Sequence, residues 1–185
     1  GTVAGTLTGI DPDTGDTLSF ALTGTAPAGF TLDAAGNWSF DAAGFDSLAA
    51  GQTQTLTVPY AVTDAGGLSS SANLVITITG TNDAPLTTGA TASILEDGVV
   101  SGTLTASDPD TSDTLTFALN ATAPAGFTLD SAGNWSFDAK SYDSLAAGQI
   151  LTLTVPYTVT DSGGLSSNSN LVITITGTND APIAA

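Results

Sequence analysis

The chain has 185 residues, and 18 acidic side chains face a single base, Lys140, for a net charge of −17. Nothing in it can neutralise phosphate, which excludes nucleic acid and an anionic membrane surface as partners. There is no cysteine and no histidine, so disulfides and thiolate or imidazole metal sites are excluded, and no apolar run reaches the roughly 20 residues needed for membrane insertion.

The chain repeats itself. Gly1–Pro85 returns as Gly98–Pro182 with most positions unchanged, the signature of a tandem array. DPDTGDTL (Asp11–Leu18) returns as DPDTSDTL (Asp108–Leu115), GNWSFDA (Gly36–Ala42) as Gly133–Ala139, and GTNDAP (Gly80–Pro85) as Gly177–Pro182. Two domains are expected, 1–84 and 85–185, each large enough to bury a core. The first has no counterpart of Leu86–Asp97. With no methionine anywhere, the chain is expected to be a piece of a longer protein whose targeting signal lies outside it.

Within the second copy the elements follow in order. Val100, Gly102 and Leu104 alternate onto one face, then Leu115, Phe117 and Leu119, then Phe127 and Leu129, then Trp135 and Phe137. Ser141–Gly148 holds room for one helical turn. Leu151, Leu153, Val155, Tyr157 and Val159 form the longest alternation, and Leu171, Ile173 and Ile175 close the unit. This is strand periodicity, broken by turn signals at Asp108-Pro109-Asp110, Asp130–Asn134 and Ser162-Gly163-Gly164. About seven short strands per repeat predict an all-β fold, two tandem immunoglobulin-like antiparallel β-sandwiches, the first without its N-terminal strand. Pro59 and Pro156, each inside the longest run, predict an edge or a bulge there. Trp38 and Trp135 are core candidates, each sharing a face with a Phe two residues on. The glycosylation-type triplets at Asn37 and Asn134 fall in strands and carry little weight.

Strand direction assigns the carboxylates to ends. Asp108, Asp110, Asp113 and Asp161 gather at the top of the second domain. Glu96, Asp97, Asp138, Asp143, Asn179 and Asp180 gather at its bottom. Stacking one repeat on the next is expected to bring Asp46, Asn82 and Asp83 toward Asp108, Asp110 and Asp161. Like charges so close repel unless a cation neutralises them. Each motif alone reads as an ordinary Asp turn, but convergence of segments far apart in sequence favours a hard divalent cation, Ca²⁺ ahead of Mg²⁺. By repetition Asp11, Asp13 and Asp64 form the matching set in the first domain.

Three stretches carry a resemblance: ILEDGVVSGTLTASDPD (Ile94–Asp110), VTDSGGLSS (Val159–Ser167) and VITITGTNDAP (Val172–Pro182). They resemble the calcium motifs of cadherin repeats. Over essentially the whole chain, the period is similar to the VCBS or cadherin-like repeats of bacterial RTX adhesins exported by type I secretion. The resemblance implies Ca²⁺ ligands at Glu96, at Asp108 and Asp110 as a DxD pair, at Asp161 of DxG, at the linker's Asn82 and Asp83, and at Asp46. The pattern departs at Leu48 and Leu145, where a cadherin carries Glu, and at Gly80 and Gly177, where its linker begins with an acid. Fewer ions per junction than in a cadherin are therefore expected. Asp16 and Asp113 have no counterpart and either add an oxygen to the top site or cap a turn. The RTX nonapeptide GGxGxD is absent.

The implied function is mechanical. The repeats would be calcium-rigidified extenders of a secreted bacterial surface adhesin, acting as monomers on neighbouring repeats of the same chain in adhesion and biofilm formation. The open strand of the first domain predicts an edge-strand dimer specific to this fragment. The alternative is a glycan- or ice-binding module built on the hydroxyl row Thr152, Thr154, Thr160, Thr174 and Thr176. Without His, Cys or a base–nucleophile pair, no enzyme is expected.

Overall fold

The computed structural model describes residues 1–182, and the chain divides into two units, Gly1–Thr81 and Asn82–Ala185. In the first, β1 (Thr2–Thr6), β3 (Phe30–Leu32) and β4 (Asn37–Asp41) form one sheet in the order β1-β4-β3. The other sheet has β2 (Ser19–Leu22), β5 (Thr53–Thr63) and β6 (Ser69–Thr79) in the order β2-β5-β6. All pairs are antiparallel. The alternating inward residues Phe30, Phe40, Val58, Ile76 and Ile78 make the core.

The second unit repeats this plan with additions. One sheet has β9 (Val99–Thr103), β12 (Phe127–Leu129) and β13 (Asn134–Asp138) in the order β12-β13-β9. The other has β8 (Ala90–Leu95), β11 (Thr116–Leu119), β14 (Ile150–Thr160) and β15 (Ser166–Thr176) in the order β11-β14-β15-β8. A short ribbon pairs β7 (Leu86–Thr87) with β10 (Ala106–Ser107). The sandwich is not wholly antiparallel, because β8 lies parallel to β15, Leu171 opposite Ala90 through Thr176 opposite Leu95. The antiparallel sandwich expected from the sequence is corrected at this one pairing. The helical turn is a 3-10 turn at Ala139–Tyr142, two residues ahead of its expected start.

Trp135 is buried and stacks on Phe127, ring centroids 6.1 Å apart. Gly102 allows this, since a Cβ there would come within 2.9 Å of the indole. Asn134 is fully engaged, donating to Asp130 Oδ2 at 3.0 Å and accepting from Thr103 Oγ1 at 3.1 Å.

The proline expectation is corrected. Pro156 sits in β14, which has a neighbour on each side, and the register with β15 runs one-to-one through it, so it marks neither an edge nor a bulge. Its carbonyl accepts from Asn120 N at 3.0 Å, so its backbone faces β11 where that strand has just ended at Leu119. The missing N–H falls where no ladder partner is required. Pro59, whose carbonyl accepts from Thr23 N at 3.1 Å, repeats the arrangement one residue past the end of β2.

Candidate metal centre

Turn chemistry positions the top of the second unit. In Asp108-Pro109-Asp110, Asp108 Oδ1 accepts from Asp110 N at 2.9 Å, a local turn bond that leaves Oδ2 for other use. Asp161 directly follows β14, and its Oδ1 accepts from Leu165 N at 2.8 Å across the Ser162–Gly164 turn. Ser162 Oγ donates to Asp113 Oδ1 at 2.7 Å. The segment entering the unit then closes over the group. Asn82 Nδ2 donates to Asp161 Oδ2 at 2.9 Å, and Asp83 N donates to Asp110 Oδ2 at 2.8 Å. Gly163 makes room for this, since a Cβ there would collide with the Asn82 side chain.

The result is a carboxylate cluster with oxygens to spare. Ligand atoms of Asp108, Asp113 and Asp161 lie within 4.8 Å of one another. Asp110 and Asp161 are buried, at 2% and 5% exposure. Asp108 Oδ2, Asp110 Oδ1 and Asp113 Oδ2 are buried and accept no hydrogen bond. Burial, and then the charges of Asp110, Asp113 and Asp161, raise the Asp108 pKa above 3.8. Orphaned buried acceptors of one sign carry a free-energy cost that a hard divalent cation removes. An all-oxygen set of this kind fits Ca²⁺.

The bottom of the same unit gathers a second set. Glu96 is wholly buried. Its Oε2 accepts from Leu145 N at 3.2 Å, and its Oε1 accepts from Thr178 N and, at 3.1 Å, from Thr178 Oγ1. Asp180 is exposed, and desolvation followed by the charges of Glu96, Asp97 and Asp143 raises its pKa above 3.8. Both Glu96 carboxylate oxygens already serve the protein, so its first role here is to bind the chain to itself. Asp138 is used locally, its Oδ1 accepting from Lys140 N at 3.1 Å.

The first unit holds a thinner version. Ligand atoms of Asp11, Asp16 and Asp64 lie within 4.8 Å of one another, with Asp16 exposed and the other two half-buried. Asp13 N donates to Asp11 Oδ1 at 2.8 Å, but Asp13 itself is exposed. Asp46 is also exposed and ends the 3-10 turn Ala43–Phe45. Two contributors escaped the reading of the sequence: Ser162, which ties Asp113, and Thr178, which clasps Glu96. A signal for Ser162 exists in the repeat itself, because Ala65 stands at its place in the first copy.

Known domain families match both units. Residues 82–177 match the model of the bacterial cadherin-like domain, and residues 1–77 match that of a bacterial Ig domain. No curated protein matches the chain in sequence. Among solved structures it is similar to human protocadherin-24 EC1-2, with TM-score 0.57, 17% identity, and coverage of 95% of this chain and 88% of that one. It is also similar to mouse cadherin-23 EC22-24, with TM-score 0.53, 16% identity, and 86% of this chain against 53% of that one. The chain thus spans about half of the cadherin-23 fragment. At these identities the likeness concerns the fold.

Proposed function

We propose, from the premise that this chain belongs to the bacterial cadherin-like domain family, that it forms calcium-stiffened spacer repeats of a large bacterial surface adhesin. Cadherin-like and Ig-like domains are typically extracellular structural and adhesion modules. The described residues contain no helix long and apolar enough to cross a membrane.

The observation that carries the reading is the set of orphaned oxygens on Asp108, Asp110 and Asp113 beneath the Asn82–Asp83 segment. Asp108, Asp110, Asp113 and Asp161 would hold Ca²⁺, with Asn82 and Asp83 already docked on the same carboxylates. Bound there, the cation would neutralise the cluster and fasten the linker to the domain that follows it. Export by type I secretion and a role in biofilm formation belong to the same proposal and follow from the resemblance of the repeats to RTX adhesins.

Extracellular calcium modules bind with Kd of roughly 10⁻⁴–10⁻³ M. A chain of this kind is loose in a calcium-poor cytosol and stiff outside the cell. Small-angle scattering of the chain in EDTA and in millimolar Ca²⁺ tests this. The expected result is a broad distribution of dimensions in EDTA that narrows and lengthens with Ca²⁺. Identical profiles in both conditions would defeat the spacer reading.

A further inference from the structure

The chain enters the second unit at Asn82 and leaves it past Thr176, the end of β15. Tension along the chain therefore pulls β8 by its first residue and β15 by its last. These two strands pair with each other, and they are parallel, Ala90 opposite Leu171 through Leu95 opposite Thr176. Parallel order puts the two loaded residues at opposite ends of the pair. An antiparallel pair would put them at the same end and let its hydrogen bonds open one at a time. Here the strands part by sliding along each other, which strains the whole ladder at once.

The ladder is built for this. Glu96 N donates to Thr176 O at 3.2 Å, so by alternation the amides of Ala92 and Ile94 also face β15, while that of Ser93 faces away. β8 ends the sheet, so among the described residues the Ser93 side of its backbone pairs with no further strand. The inner side chains add to the resistance. Ala90, Ala92 and Ile94 pack against the core, where Leu171, Ile173 and Ile175 are each 0% exposed. Sliding would drag Ile94 across that surface.

Both ends of the pair are latched. At entry, Tyr157 OH donates to Thr88 O at 2.9 Å. At exit, the Glu96 carboxylate accepts from Thr178 N, from Thr178 Oγ1 at 3.1 Å and from Leu145 N at 3.2 Å. Thr178 lies just past the end of β15, on the segment that carries the load out. On the same segment Gly177 N donates to Gln149 O at 2.8 Å. One buried carboxylate thus joins the end of β8, the exiting segment and the turn ahead of β14.

We propose that β8 and β15 form a shear clamp through which the second unit bears tension, with Glu96 as its latch. The source of the load rests on the spacer reading. The clamp itself needs no cation, and its test is run in EDTA so that the two readings fail separately.

The chain has no cysteine, so introduced thiols give unique handles for single-molecule pulling. One pair, Ala84→Cys with a cysteine added after Ala185, loads β8 and β15 from opposite ends. The other, Ala84→Cys with Ser166→Cys at the exposed first residue of β15, loads them from the same end. Both leave the first unit outside the loaded path. At a fixed force, unfolding is expected to be at least about tenfold slower between the first pair, the equivalent of one or two hydrogen bonds having to break together. Ala92→Pro, which removes an amide facing β15, is expected to abolish most of that difference, and Ser93→Pro, which removes one facing away, to keep it. The directional comparison needs neither proline variant to fold. Equal rates in the two directions would overturn the proposal, as would a directional difference that Ala92→Pro leaves intact.

Discussion

The two units are near-copies in sequence and unequal in structure. Tyr157 and Val159 are 1% and 0% exposed, whereas their counterparts Tyr60 and Val62 are only half-buried. Asp110 is buried and Asp13 is exposed. Two short segments account for the difference. Residues 86–96 close the side of the second sandwich, and Asn82–Asp83 close its acidic end. The comparison teaches that the burial of core and cluster depends on the segments that cover them. Core and cluster reach their full burial only when a flanking strand and linker are seated on them.

The largest expected effect exploits the core. Ile175→Ala should destabilise the second unit by about 4 kcal/mol, and the matching Ile78→Ala should cost the first unit clearly less, because a partly open site loses less burial and leaves a smaller cavity. Separate melting transitions of the two variants check this, and equal losses would break the comparison. Next comes Glu96→Ala, expected to cost the second unit about 2–3 kcal/mol by leaving the Leu145 and Thr178 amides without their carboxylate. Chemical denaturation reads this directly, and the first unit's transition should not move.

Smaller is Gly163→Ala, which pushes Asn82 off Asp161. A loss of about 1–2 kcal/mol is expected, with weakened Ca²⁺ binding, while Gly66→Ala in the first unit should be milder. The smallest effect is on pH. Folding raises the Asp108 pKa above 3.8, so the folded state holds that proton more tightly than the unfolded one. The resulting cost is complete at neutral pH and relieved as pH falls through the folded value. In EDTA the second unit's melting temperature should therefore climb as pH drops from 7 toward 4, and Ca²⁺ should flatten the slope. Asp33 and Asp130 act oppositely but lower down, since Asn37 and Asn134 hold their pKa values below 3.8.

Much of this was legible in the residues. Period-2 alternation gave the strands because a half-buried sheet requires it, and strand direction alone brought Asp108, Asp110, Asp113 and Asp161 to one end. Repetition exposed the matching positions of the two copies. Pro156 misled because a ladder tolerates proline wherever its neighbour has stopped, and the length of β11 is not written in β14. The hydrogen bonds of Glu96 were not legible in the sequence. Its burial and its clasp on Thr178 depend on a parallel pairing that local pattern does not specify. The unequal burial of Asp13 and Asp110, identical in their motifs, depends on what lies over them.

The central claim is that a divalent cation belongs among the carboxylates of the second unit. Titration calorimetry of the chain with Ca²⁺, set beside Asp161→Ala, tests it most directly. The account expects saturable binding with Kd of roughly 10⁻⁴–10⁻³ M that is lost or much weakened in Asp161→Ala. Binding of equal strength in both proteins, or none in the unaltered chain, would contradict it.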